Sequence, residues 1–462
     1  MGSTPTNGSC SHVVLFPFMS KGHTIPLLHF AQILLRRSTA VTVVTTPANR
    51  PFIAEFLNCT AVSIVTLPFP TAGGVESTDK LPSISLFYEL ALATSAMQPQ
   101  FEQLLETLPP VSFMVTDAFL WWTQHSAKSF GIPRLVYYGM SCYSISLSIE
   151  AARSGILGGS QPDDELVPLT QFPWIRLCKE DFESGFRDPK PDSIVYEFNM
   201  KVMSATYGSY GILVNSFYEL EPTFVDFMNK ESSHKNWCIG PFCLAEQTPK
   251  KVYSEPDVKP RWVQWLDQKL EEKTSVLYVA FGSQAEISCE QLEEIASGLE
   301  ESKVSFLWVI RKKEWGLPDG FEERVKERGM IVNEWVDQRE ILMHEIVEGF
   351  VSHCGWNSVL ESICASVPIL AWPMMAEQHL NARMVDEEIK VGLRVETCDG
   401  SVRGFVKREG LKKTVKELME GEKGRKAKEK VRELADMANK AVQEGGSSCT
   451  ALNSLLNETA NC

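Results

Sequence analysis

The strongest constraint on this fold is a strand–helix–strand pattern that occurs twice. His12–Phe18 (HVVLFPF) is a short apolar run that reads as a buried strand. The loop Met19-Ser20-Lys21-Gly22 leads into a helical pattern with Ile25, Leu28, Ala31, Leu34 and Leu35 on one face, and Ala40–Thr45 (AVTVVT) is the next β-branched run. This βαβ order implies a parallel sheet with helices on both faces. Phe113–Thr116 and Arg134–Tyr138 are further strand candidates. Leu244–Pro260 lacks an apolar period and reads as a linker. After it the pattern restarts: strand Ser275–Phe281 with a tight turn at Gly282-Ser283, a helix face at Leu292, Ile295, Ala296 and Leu299, and strand Ser305–Ile310. Gly349–Ser352, a helix from Asn357, strand Pro368–Trp372 and a helix after Gln378 follow. The expected architecture is α/β: two doubly wound domains, 1–243 and 261–462, joined by linker 244–260 and facing across a cleft at the carboxyl ends of their sheets. From about Leu411 the chain is charged and helical, with Lys/Arg/Glu alternation on a solvated face.

The fold alone does not choose a function, but several classes drop out. Neither half has G-x-G-x-x-G after its first strand, nor a P-loop, which disfavours a dinucleotide oxidoreductase or an NTPase. A formal net charge of −14 argues against a nucleic-acid partner. The twelve cysteines include no C-x-x-C, and Cys354 and Cys364 have no metal-like partner set, so reduced thiols in a cytoplasmic protein are expected. MGSTPTNGSC lacks the charged and apolar regions of a signal peptide, and no run approaches the ~18 apolar residues of a membrane span. Met1-Gly2 with Thr6 matches the permissive myristoylation pattern without a polybasic second signal; the sequons at Asn7, Asn58 and Asn457 carry no meaning in that compartment.

The densest chemistry lies between Trp335 and Gln378, WVDQREILMHEIVEGFVSHCGWNSVLESICASVPILAWPMMAEQ. His353-Cys354-Gly355-Trp356-Asn357-Ser358 follows a strand and opens a helix, whose unpaired N–H groups and partial positive charge suit a phosphate. Gly355 permits close backbone approach, and His353, Asn357 and Ser358 offer side-chain donors. A structural reading competes: Asn357 is an ordinary N-cap residue, and Ser358-x-x-Glu361 is also a capping box. That reading leaves His353, Trp356, Trp335 and Gln378 unexplained.

The whole stretch, W-x-x-Q, then H-C-G-W-N-S-x-x-E, then V-P, W-P and an acidic-Gln pair, resembles the signature box of plant secondary-product UDP-glycosyltransferases, and the resemblance extends over essentially the whole chain. It implies two Rossmann-like domains in the GT-B arrangement, with the last helix packing back on the N-terminal domain. It also implies that uracil stacks on Trp335 and pairs with the backbone of Val336, that Gln338 and Glu361 reach the ribose, and that Glu377 and Gln378 reach the sugar, Gln378 favouring glucose. Ser283 resembles the family's phosphate-touching Ser on the opposite wall, or is only a turn residue. Three positions depart from the pattern: Asp337 stands for Pro, Ser366 for Gly and Glu377 for Asp.

His23 matches the family's general base, and Asp117, at the end of Phe113–Thr116, matches the carboxylate that fixes its tautomer; without that match the favoured readings are a helix-start histidine and a turn residue. His29 and His125 lie within helical patterns and read as structural. The expected reaction is a single displacement giving a β-glucoside, with no metal or other cofactor, because no Asp-x-Asp accompanies the cleft motifs. Phe119, Trp121, Met140 and Ser141 are candidate acceptor-pocket residues for a flat hydrophobic molecule such as a flavonoid or another phenol. A monomer is expected. The alternatives are another UDP-sugar donor, a C-glycoside product, or a non-catalytic UDP-sugar- or metabolite-binding protein.

Overall fold

The computed structural model describes residues 11–58, 60–70, 74–187, 190–231, 234–245, 259–282, 284–310 and 316–460. Most of the expected linker and Ser283 therefore lie outside the described residues.

The N-terminal sheet comprises β1 (His12–Phe16), β2 (Ala40–Thr45), β3 (Ser63–Thr66), β4 (Phe113–Asp117), β5 (Arg134–Tyr137), β6 (Gly211–Val214) and β7 (Lys235–Cys238). Among the described residues these seven run parallel in the order β3-β2-β1-β4-β5-β6-β7. The C-terminal sheet comprises β8 (Val276–Ala280), β9 (Ser305–Val309), β10 (Gly329–Val332), β11 (Val347–Ser352), β12 (Ile369–Ala371) and β13 (Gly392–Arg394), six parallel strands in the order β10-β9-β8-β11-β12-β13. Their central strands are continuous apolar runs buried on both faces, as helix-covered parallel sheets require. In each sheet the strand order reverses beside the first strand, between β1 and β4 and between β8 and β11. Those switch points are where open α/β sheets bind ligands.

The two units are not merely tethered. One continuous core joins Leu147, Phe172 and Phe224 of the first half to Trp356, Leu360 and Leu380 of the second. Polar contacts stitch the same seam: Arg383 Nε donates to Asp181 Oδ1 at 2.7 Å, with both side chains buried. The charged C-terminal region folds as amphipathic helices, burying Leu411, Val415 and Leu418 in one and Val431, Leu434 and Ala438 in the next. The helix Ser447–Thr459 crosses to the N-terminal sheet, where Leu452 and Leu455 join the core beside Trp237 and Phe242. Each such leucine contributes about 1.5–3 kcal/mol of burial, so this helix clamps the two halves. Among the described residues, no helix is long and apolar enough to cross a membrane.

Candidate active site

The helix after β1 begins at Lys21, two residues before His23, rather than beyond a loop ending at Gly22. His23 therefore sits in a first helical turn, over the carboxyl end of the sheet. Asp117 is the last residue of β4, fully buried, and its Oδ2 lies 2.6 Å from His23 Nδ1. A carboxylate only accepts, so the proton is on Nδ1 and the neutral ring keeps its Nε2 lone pair. Asp117 Oδ1 accepts the N–H of Phe119 at 3.0 Å, which fixes the carboxylate's rotation. Burial lowers the His23 pKa, but the charge and hydrogen bond of Asp117, with the charge of Glu377, outweigh it and leave the value raised.

Aromatic rings surround this pair. Phe119 lies 5.0 Å from the imidazole, Phe18 6.2 Å, and Phe87 and Phe198 pack edge-on or tilted against Phe119 at 5.2 and 5.6 Å. Gly139 borders the ring as well: a Cβ there would stand 3.7 Å from His23 Cε1, at a positive φ of 70°. Of the four candidate acceptor residues, Phe119 alone has a ring contact in this group. Met140 is half-buried next to Gly139. Trp121 instead packs against His125 and beneath Lys201. Ser141 is fully buried as the N-cap of helix Cys142–Arg153, and its hydroxyl reaches Asn381 Oδ1 at 3.3 Å, so it serves the fold rather than the pocket. Phe18, Phe87 and Phe198 were not singled out in the sequence, because aromatic residues scattered along a chain look like any core.

Across the cleft, His353 follows β11 at the second switch point. It occupies a slot made by two glycines: a Cβ on Gly355 would come within 2.6 Å of His353 Nε2, and one on Gly282 within 2.9 Å. Cys354 adopts φ +62° between them, a strained conformation for a non-glycine residue. The helix that follows runs Trp356–Cys364, and its N-cap is Gly355 with no side-chain cap. The capping-box reading is thereby overturned: Asn357 and Ser358 lie inside the first turn, and the orphan N–H groups have no side-chain cap from Gly355.

Asn357 faces the other domain. Its Nδ2 donates to Gly22 O at 2.6 Å, and its Oδ1 accepts from Asn215 at 3.2 Å. The carbonyl of Gly22 is open to this bond because Pro26, four residues on, has no N–H to give it. Gln284 makes a parallel link, donating to Ser20 Oγ at 3.2 Å. Trp356 is buried, and its indole donates to Asn215 O at 2.7 Å, so its side chain belongs to the domain seam and only its backbone N–H remains for a ligand.

Trp335 is half exposed, with Phe52 of the N-terminal domain 6.2 Å from its ring and Lys21 Nζ 5.6 Å from it. The side chain of Val336 is buried in the C-terminal core. Gln338 Nε2 donates to both Ser358 Oγ and Glu361 Oε2 at 2.8 Å. Burial pushes the Glu361 carboxyl up to about 7, against the lowering effect of Gln338. Asp337, in place of proline, caps the helix Gln338–Leu342, accepting from Arg339 and Glu340. Ser366 has φ +60°, so glycine there would be unstrained. Gln378 Oε1 accepts the N–H groups of Met374 and Met375, both at 3.0 Å, which leaves its amide donors free of that role. Glu377 follows Ala376, held at φ +52°; burial raises its pKa, partly countered by His23 across the cleft. Asn381, absent from the candidates, spans the seam fully buried: its amide donates to Cys354 O at 2.9 Å, and its oxygen accepts from Ser144 at 2.8 Å. Among the described residues no His/Cys/Asp/Glu cluster could hold a metal ion.

The arrangement is thus a histidine paired with a buried carboxylate beside a cluster of aromatic rings, opposed by an uncapped helix N-terminus and an exposed indole. Residues 265–438 match the family model described as UDP-glucoronosyl and UDP-glucosyl transferase. The chain is 54% identical to UDP-glycosyltransferase 90A1 of Arabidopsis thaliana, over 97% of this chain and 96% of that one. It is 34% identical to UDP-glucose flavonoid 3-O-glucosyltransferase 7 of Fragaria ananassa, over 97% and 96%. The solved structure of Phytolacca americana UGT2 complexed with UDP-2fluoro-glucose and pterostilbene superposes with a TM-score of 0.81 at 30% identity, covering 98% of this chain and all of that one. The chain belongs to the plant UDP-glycosyltransferases, enzymes of the GT-B fold.

Proposed function

We propose that this enzyme moves glucose from UDP-glucose to the hydroxyl of a small, flat, hydrophobic acceptor, a flavonoid or another phenol, with inversion at the anomeric carbon. The observation that carries the reading is the 2.6 Å His23–Asp117 contact beside Phe119, with the uncapped helix at Trp356 reaching the same segment through the bond of Asn357 to Gly22.

The acceptor ring lies beside the partly buried Phe119 and Phe87, and its hydroxyl points to His23 Nε2. The imidazole takes the proton as the acceptor oxygen bonds to the anomeric carbon, and the bond from that carbon to the UDP oxygen breaks on the opposite face. Asp117 stabilises the imidazolium that results. The departing diphosphate meets the first-turn N–H groups of Trp356–Cys364 and the donors of His353 and Asn357, preorganised charge that acts without a metal. Trp335 carries the uracil, Glu361 with Gln338 the ribose, and Glu377 with the Gln378 amide the glucose hydroxyls. The relative that acts on flavonoids and the solved structure with a bound stilbene support the acceptor class.

The test is His23→Ala assayed with UDP-glucose and a panel of phenols, with and without EDTA. The expected result is loss of transfer with UDP binding retained, and a wild-type rate indifferent to EDTA. Near-wild-type transfer by His23→Ala removes it from the base role.

A further inference from the structure

Arg134 opens β5 and is 1% exposed, among the largest fully buried side chains of the molecule. Its guanidinium has no carboxylate within salt-bridge distance among the described residues. It donates instead to uncharged oxygens: Thr116 Oγ1 at 2.7 Å, Thr123 Oγ1 at 3.0 Å, Ser209 Oγ at 2.7 Å and the backbone carbonyl of Asp117 at 3.3 Å. A buried cation is costly unless something compensates it, and buried ions are ordinarily paired. Here the compensation is a hydroxyl network tied together in turn: Thr116 and Thr123 are 2.7 Å apart, Thr123 donates to Leu120 O, and Ser209 donates to Ala205 O. The ties through Thr116, Thr123 and the Asp117 carbonyl converge on the carboxyl end of β4 and the turn after it, the segment that carries Asp117, and Ser209 anchors the guanidinium from the helix Ile194–Tyr207 side.

We propose that Arg134 is a positioning residue for the His23–Asp117 pair, fixing the backbone at Asp117 through its carbonyl and supplying the positive charge behind the carboxylate. This rests on the reading of His23 as the base. A positive charge behind Asp117 opposes retention of the proton on the imidazole, so that the base resets after each turnover. The other ionisable groups facing the pair are Glu377 across the cleft and the phenols of Tyr137 and Tyr138, both held neutral by burial. None of these is a cation, so Arg134 has no substitute among them. Burial lowers the Arg134 pKa to about 10, partly offset by Tyr138 and Asp117, which leaves it charged at neutral pH.

The experiment compares Arg134→Gln, which removes the charge, with Arg134→Lys, which keeps it without the planar fork. The readout is the pH dependence of kcat/KM for UDP-glucose with a phenol. In Arg134→Gln the acid limb is expected to move up by about one pH unit, the scale of one unit charge at several ångströms in a protein interior. In Arg134→Lys the limb stays and only kcat falls. A folded Arg134→Gln protein with the wild-type limb overturns the proposal. If Arg134→Gln does not fold, Asp117→Asn is added to it. Recovery of a folded double variant supports the coupling, and an equally unfolded one reduces Arg134 to a structural stitch. That folding comparison needs no activity, so it stands apart from any failure of the His23→Ala test.

Discussion

Asp117→Asn is the substitution whose consequence follows most directly from the geometry. Oδ1 of Asp117 holds the Phe119 N–H at 3.0 Å and Oδ2 faces His23 at 2.6 Å. An asparagine keeps its oxygen on Phe119, because a donor there would meet a donor, and so turns its NH2 toward Nδ1. The imidazole must then accept at Nδ1 and carry its proton on Nε2, the atom that has to take the acceptor's proton. Loss of a hydrogen bond to a charged group costs about 1.5–3 kcal/mol, some 10- to 150-fold. The wrong tautomer deepens the loss, to about 10³–10⁴-fold in kcat, as in triads where the carboxylate is amidated. The pH dependence moves as well. With His23 as the proposed base the neutral ring is the active form, so wild-type kcat/KM is expected to fall as pH drops through a value above 6.5, the sign of the raised His23 pKa. Without Asp117, burial is opposed only by Glu377, and the limb moves down. The assay is UDP release and glucoside formation by chromatography across pH 5–9. A variant within about threefold of wild type with an unmoved limb refutes the orientation argument, since the cited loss is at least tenfold.

Other consequences are open to measurement. Trp335→Ala is expected to weaken UDP binding by calorimetry by about 1–3 kcal/mol, the contribution of one base stacked on an aromatic ring; unchanged affinity removes Trp335 from the base platform. Ser366→Gly relieves φ +60° and is expected to stabilise the protein by about 0.5–1 kcal/mol in urea unfolding, the αL strain outweighing the glycine entropy. Arg383→Met leaves Asp181 buried without its partner, and a loss of about 3–5 kcal/mol is expected in the same experiment. Uridine, which has no phosphate to titrate, is expected to bind more weakly as pH falls through about 7, where Glu361 takes up a proton, and Glu361→Gln abolishes that dependence.

Periodicity was a good guide wherever one force decided the local structure. Ala40–Thr45 is a strand with its expected bounds because an unbroken β-branched run suits a strand buried on both faces. Signals of two meanings were the ones that failed. Asn357 and Ser358 have the residue types of a cap, yet the N-cap is Gly355, where His353 fills the space a side chain would need, and Asn357, inside the first turn, reaches Gly22 instead. Trp356 lies in the motif but spends its indole on Asn215, a residue distant in sequence and adjacent only after the domains meet. Ser141 is similar: its partner Asn381 comes from the other domain. The aromatic cluster around His23 was legible only at Phe119, because Phe18, Phe87 and Phe198 come from three other segments, and nothing local distinguishes a pocket wall from a core.

The proposed reaction is glucosyl transfer from UDP-glucose by attack of a phenolic hydroxyl on the anomeric carbon. Its most direct test incubates the enzyme with UDP-glucose and a panel of phenols and follows the anomeric proton of the product by NMR, with UDP quantified in parallel. One UDP per glucoside and a β-linked product that acid hydrolyses are expected. An α-linked product, an acid-stable carbon linkage, or UDP release with no glucosylated phenol contradicts the proposed reaction.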